Sequence, residues 1–249
     1  MCEPSHFKKR QDTESPVRPE AFPCNLDHYL HLSPSITLTS SMTDPVTAPP
    51  QYTREFWIQH LQLAPHPEGG YYVEVTHSAH KVDNEAGNRR LAYTTIYFLC
   101  TTESPSHLHR LCSDETFIHH AGDPLQLHVI LRDPQDENRI AVHPRAEPLA
   151  ETDGADARPP YQIYRRVLLG ARVERGEVLQ YTVPAGAIFG CSVDTDSPDG
   201  KMGYSLVSCI VSPGFDFRDF ELFTKAQLME LCPQHEAVIK EMALETIPN

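Results

Sequence analysis

The sequence predicts an all-β sandwich or barrel, with one short helix before it and two after it. Two observations carry this reading. Nine short β-type segments follow one another between residues 71 and 211, separated by turn residues and without the strand–helix alternation of an α/β sheet. In addition, 22 prolines outnumber 12 glycines, which excludes long bundles and coiled coils because proline breaks helix interiors.

Residues 1–51 hold eight of the prolines, mixed with Ser and Thr, and are expected to form a disordered tail with too little apolar surface to offset the entropy of ordering. From Thr53, a good N-cap, the residues Phe56, Trp57, His60, Leu61 and Leu63 have roughly helical spacing, which predicts a short helix ending before Pro65. Strands are expected at 71–76, 92–101, 107–111, 116–120 and 125–131. After a polar, proline-bearing loop at about 144–160 they resume at 161–169, 178–183, 187–193 and 203–211. Ala226, Leu228, Met229 and Leu231, then Ala237, Val238, Met242 and Leu244, predict two short helices interrupted at Pro233. The expected organisation is a tail over 1–51, a domain over 52–223 and a helical extension over 224–249.

The 34 acidic and 21 basic side chains leave a net charge of −13, of which only −2 falls in the first fifty residues. A duplex or an anionic membrane repels such a surface, and the longest basic run is Lys8-Lys9-Arg10, so neither is an expected partner. Seven cysteines, odd in number and without a C-x-x-C pair, predict free thiols in a reducing compartment. The N-terminus lacks the basic start and apolar run of a secretion signal, and no apolar stretch approaches ~20 residues, so the expected location is cytoplasmic.

The densest chemistry is Ser106-His107-Leu108-His109-Arg110, then Asp114-Glu115-Thr116-Phe117-Ile118-His119-His120. Alternation along a strand gives His107 and His109 one face, and Glu115, Phe117 and His119 one face of the next. Two imidazoles and a carboxylate are thereby expected to converge. No glycine-rich phosphate loop, G-x-S-x-G elbow or marked cysteine nucleophile is present, which leaves nucleotide hydrolysis and acyl-enzyme chemistry without support.

The H-x-H…E…G spacing resembles the first motif of the cupins, small jelly-roll β-barrels. More specifically, the chain resembles the cupin subfamily called DUF985 or Cupin 5. The blocks that carry the resemblance are His66-Pro67-Glu68-Gly69-Gly70-Tyr71-Tyr72, His109-Arg110, Asp114-Glu115, Ala121-Gly122-Asp123-Pro124-Leu125, Val183-Pro184-Ala185-Gly186 and Ser212-Pro213-Gly214-Phe215-Asp216-Phe217. They span about residues 53–222. The resemblance implies a jelly-roll fold and a homodimer.

Metal-binding cupins usually add a histidine from a second motif, P-x-G-x-x-H, where this chain has Phe189. A phenyl ring cannot ligate. No cofactor is therefore expected, and if a divalent metal binds, His107, His109 and Glu115 are its expected ligands, as a two-His, one-carboxylate triad. The expected function is metal-independent acid/base chemistry on a carbonyl-bearing or sugar-like small molecule, an epimerisation, isomerisation or cyclisation, as in the cupin sugar epimerases that the barrel resembles. In that scheme His109, Glu115 and His119 are catalytic, while Glu68, Tyr72, Glu74, Arg110, Phe117 and Phe189 bind or shape the substrate. The alternatives are a non-catalytic sugar or metabolite binder and a metal-dependent dioxygenase. The segment at Phe215–Phe220 is expected to pack into the core, its aspartates capping turns.

Overall fold

A computed structural model describes residues 52–84, 86–133, 160–196 and 202–248. The chain divides into two units, residues 1–49 and 50–249, and every described residue belongs to the second. The expected tail over 1–51 lies outside the described residues, as does all but the last residue of the expected loop at 144–160.

The N-terminal helix α1 (Arg54–His60) begins where Thr53 Oγ1 accepts the Phe56 N–H at 3.2 Å. Among the described residues thirteen strands follow: β1 (Ala64–Pro65), β2 (Tyr71–His77), β3 (Lys81–Asp83), β4 (Arg89–Leu91), β5 (Thr94–Thr101), β6 (Ser106–Leu111), β7 (Asp114–Gly122), β8 (Leu125–Leu131), β9 (Ile163–Leu169), β10 (Gln180–Val183), β11 (Ile188–Val193), β12 (Tyr204–Ser212) and β13 (Phe220–Leu222). The chain closes with α2 (Lys225–Leu231) and α3 (Glu236–Met242).

One antiparallel sheet has the order β1-β2-β5-β12-β7-β10, a second β13-β6-β11-β8-β9, and β3-β4 form a separate hairpin. From β5 to β13 the chain changes sheet at every step except β8 to β9, so hydrogen-bonded neighbours are mostly distant in sequence. That crossing pattern is a jelly roll. Among the described residues no ladder joins the sheet edges, so of the sandwich and the barrel that the sequence allows the strands form two facing sheets, and the barrel that the resemblance implies is not closed.

The interior between the sheets follows the period-2 rule. Leu125, Leu127, Val129 and Leu131 of β8 all turn inward, meeting Phe189, Cys191 and Val193 of β11 and, from the other sheet, Phe98, Phe117 and Val207. At an order of 1.5–3 kcal/mol for each large side chain buried, this layer is the main hold between the sheets. The outer face of the second sheet is also apolar, because Leu108, Ile130 and Ile188 pack under Leu228, Ile239 and Met242 of the two terminal helices. Thr224 and Gln227 form a capping box that starts α2. On the outer face of the first sheet, Trp57 of α1 and Leu61, its C-cap, cover Tyr71, Tyr204 and Leu206, and the Trp57 indole N–H donates to Tyr204 Oη at 3.0 Å.

Candidate active site

The loop between β1 and β2 brings Glu68 to the start of β6. Gly69 and Gly70 have φ of +107° and +66°, a region that disfavours any other residue. A Cβ on Gly69 would also lie 1.9 Å from the Pro105 carbonyl oxygen, so the loop is pressed directly against the β6 entry. The Glu68 carbonyl oxygen accepts the His107 backbone N–H at 2.8 Å and the His107 ring Nδ1–H at 2.7 Å. The Glu68 side chain then reaches inward, where Oε1 accepts from Ser106 Oγ at 2.9 Å and Oε2 stands 3.4 Å from both His66 Nδ1 and His109 Nε2.

A bulge in β6 decides which histidine enters the interior. Phe189 pairs with His109, but Cys191 pairs with Ser106, so two steps along β11 oppose three along β6. Ser106 and His109 consequently share the inner face, while Leu108 and Arg110 turn outward. The expected convergence of His107 with His109 is corrected here: alternation holds only in an unbroken ladder, and His107 is engaged by the Glu68 carbonyl beside the cavity. Across from the bulge sits Gly190, where a Cβ would lie 2.7 Å from the Ser106 carbonyl oxygen.

Hydrogen-bond partners fix the tautomers. His109 Nδ1 faces the His107 carbonyl oxygen at 2.8 Å, which can only accept, so Nδ1 carries the hydrogen and Nε2 presents a lone pair to Glu68. His66 Nδ1 accepts the Glu68 backbone N–H at 3.3 Å and likewise presents a lone pair. The proton that suits both is on Glu68. Burial favours the same arrangement, raising the Glu68 carboxyl above the usual range and lowering the imidazoles, His109 to about 4.

Glu115 of β7 enters from the opposite sheet, 7% exposed, and receives a hydrogen bond from the Cys209 thiol. Burial first, and the nearby Glu68 carboxyl second, push it up to about 8. His66, Glu68, His109, Glu115 and Cys209 form the polar end of a cavity of about 140 Å³, whose remaining walls include Ile96, Phe98, Leu111 and Val211. Tyr72, Glu74, Phe215 and Phe217 also line it. Phe217 is 55% exposed, so the expected packing of this segment in the core fails at that residue, which stands over His66 with the rings 6.3 Å apart.

The segment carrying Phe215 and Phe217 is anchored from one side. Arg90 of β4 holds Asp219 through two hydrogen bonds of 2.7 and 2.8 Å, and Thr94 Oγ1 accepts the Phe215 N–H at 3.0 Å. Asp216 accepts the Arg218 N–H at 3.0 Å, which caps the turn as its residue type suggests.

Of the residues expected in the site, Glu68, Tyr72, Glu74, His109 and Glu115 line the cavity. Phe189 lies just behind it, its ring 4.1 Å from that of His109, and Phe117 fills the next layer down, 6.1 Å from Phe189. His119 shares the inner face with Glu115 but stands four residues further along β7, roughly 13 Å at strand rise, where its ring contacts the Asp123 carbonyl oxygen. Arg110 points away from the cavity, bonded to Tyr161 Oη and Glu221. The triad His107, His109 and Glu115 does not assemble, because His107 is spent on a backbone carbonyl, and among the described residues no group of three or more His, Cys, Asp or Glu side chains is placed to hold a metal ion. Sequence reasoning missed His66 and Cys209. The H-P-E-G-G block marked the loop of His66, whereas Cys209 gave no signal beyond strand parity.

A two-sheet jelly roll with a histidine and glutamate cluster inside one end defines the cupin class. Residues 55–223 match Cupin_5, the Cupin superfamily (DUF985), and the chain belongs to that family. Among solved structures, it is similar to a hypothetical protein from Leishmania major, with 73% identity, 78% of this chain and 100% of that chain covered, and a TM-score of 0.69. Protein SO0799 from Shewanella oneidensis is 32% identical, with 79% of this chain and 100% of that chain covered and a TM-score of 0.60. A curated relative, the uncharacterized protein YML079W of Saccharomyces cerevisiae, is 26% identical over 190 residues, 70% of this chain and 77% of its own length.

Proposed function

We propose that this cavity is an acid–base site that moves a proton at the carbon beside a carbonyl group, the chemistry shared by epimerases, isomerases and cyclases. One observation carries the reading: two buried carboxyls that favour their protonated forms face two imidazoles that favour their neutral forms. Such opposed shifts separate acid from base within one pocket.

In this scheme the neutral His109 Nε2 accepts the substrate proton, and Glu68, 3.4 Å away, exchanges its own proton with His109 and His66. Glu115 donates a hydrogen bond to the carbonyl oxygen as negative charge develops there. With an apparent pKa of about 8 it is largely protonated at neutral pH, as an oxyanion donor must be. Phe98, Phe215 and Phe217 shield the reacting atoms from water.

The test is exchange of α-hydrogens for deuterium in small ketones dissolved in D2O, followed by proton NMR. Exchange above the buffer rate that is lost in His109→Ala and in Glu115→Ala supports the reading. Wild-type exchange that either substitution leaves unchanged refutes it.

A further inference from the structure

We infer that the cavity selects an uncharged ligand, about the size of a five-membered ring and carrying one carbonyl or hydroxyl group, and that it rejects carboxylates and phosphates. This names the substrate class of the site described above and rests on the acid–base reading of it.

The first ground is charge. Among the described residues, none that lines the cavity is Lys or Arg. The arginines nearest in the fold are turned to other partners: Arg90 to Asp219, Arg110 to Tyr161 and Glu221, and Arg218 to Asp216. A carboxylate or phosphate entering this space would leave its water shell without meeting a counter-charge, and a buried uncompensated ion is among the costliest states in a protein. It would also approach Glu68 and Glu115, the carboxyls at the polar end, and Glu74, which is held near the mouth by His77 at 2.5 Å.

The second ground is what the polar groups offer. The titratable groups that line the cavity with Glu115 are Glu68 and His66 from the β1–β2 loop, His109 from β6 and Cys209 from β12 at the polar end, and Tyr72 and Glu74 from β2. With the carboxyls protonated and the imidazoles neutral, this end carries no net charge. It presents acidic O–H donors and lone-pair nitrogens, which suit a neutral carbonyl or hydroxyl. A cation would find aromatic rings and the Glu74–His77 pair at the mouth, but at the polar end it would first have to strip a proton from a carboxyl that burial keeps neutral.

The third ground is size and shape. A cavity of about 140 Å³ is close to the engineered apolar cavity of about 150 Å³ that accommodates benzene. Ile96, Phe98, Leu111 and Val211 wall one side, so the ligand has an apolar body and a single polar end. A nucleotide or a long acyl chain does not fit inside it.

The experiment uses the full chain and four probes that share one ring: cyclopentanone, cyclopentanol, cyclopentanecarboxylate and cyclopentylamine, each titrated at pH 6.5 by saturation-transfer NMR. The ketone and the alcohol are expected to bind at least tenfold more tightly than the carboxylate and the amine. Val211→Phe, which fills the cavity, is expected to remove the signal while its circular dichroism stays that of the wild type, and Val173→Ala, at an exposed position outside the cavity lining, is expected to keep the signal. Binding of the carboxylate or the amine equal to or tighter than that of the ketone overturns the inference, and so does the absence of binding by all four. Binding of cyclopentanone without α-deuterium exchange counts against the acid–base chemistry and leaves the ligand class standing.

Discussion

Glu68 Oε2 lies 3.4 Å from His109 Nε2 and the same distance from His66 Nδ1, so one carboxyl oxygen is shared between two ring nitrogens that both present lone pairs. The arrangement keeps a proton between groups that each favour their uncharged state. It also makes Glu68 more than a turn residue, because its backbone and both of its carboxyl oxygens are engaged.

Replacing Glu68 by Gln is expected to preserve the fold and slow proton exchange by roughly 10²-fold or more, within the range for loss of a general acid–base partner. The amide still accepts from Ser106 Oγ but cannot pass a proton to His109. Circular dichroism separates this from unfolding. A rate equal to wild type would remove Glu68 from the proton path.

The buried groups predict a bell-shaped dependence of stability on pH. Glu115 is raised to about 8 in the folded state, so between its ordinary value and 8 the native protein holds a proton that the unfolded chain releases, and stability falls as pH rises through that window. His109 and His128 are each lowered to about 4 by burial, so between about 4 and their ordinary range the unfolded chain holds the extra protons and stability rises with pH. Urea denaturation from pH 4 to 9 is expected to peak near pH 6. Glu115→Gln should flatten the alkaline limb, by up to the order of 3 kcal/mol between the peak and pH 8, and steepen the acidic limb, where the Glu115 proton offsets those of the histidines. Parallel wild-type and variant curves would rule out this assignment.

Arg90 and Asp219 anchor the aromatic segment at the cavity mouth. Arg90→Ala is expected to speed hydrogen exchange of the Gly214 and Phe215 amides, whose acceptors, the Leu91 carbonyl oxygen and Thr94 Oγ1, lie on and beside the same hairpin. Mass spectrometry of peptides covering 213–220 reads this out, with β8 peptides as an unchanged reference. Equal exchange in variant and wild type would show that the ion pair does not hold the segment.

Leu228 is fully buried between the terminal helices and the second sheet. Leu228→Ala is expected to cost about 2–5 kcal/mol, the usual range for a large-to-small change in a packed core. A loss below about 1 kcal/mol in denaturant titration would mean that these helices contribute little to holding the sheet.

Much of the fold was legible because its central strands obey simple periodicity. β8 was located residue for residue at 125–131, since leucine and valine alternate there without interruption. The short strands β1, β3, β4 and β13 escaped detection. Lys81–Asp83 is exposed throughout, so burial imprints no pattern on its sequence. The site was legible where side chains follow strand parity, as with His109 and Glu115, and illegible where the backbone departs from it. His107 was misplaced by the β6 bulge, and His119 by distance along a correctly read face. His66 comes from a turn, where no periodicity speaks for a side chain's direction.

The β6 bulge makes the contents of this pocket a matter of phase as much as of residue type. Counted from Ser106 along a regular strand, the inward positions would be Leu108 and Arg110, and His109 would lie beneath the terminal helices. Loss of the bulge with every residue kept would therefore exchange an imidazole for an arginine without any substitution. Gly190 makes room for that phase shift, because a side chain there would run into the Ser106 carbonyl oxygen that the bulge pushes toward it.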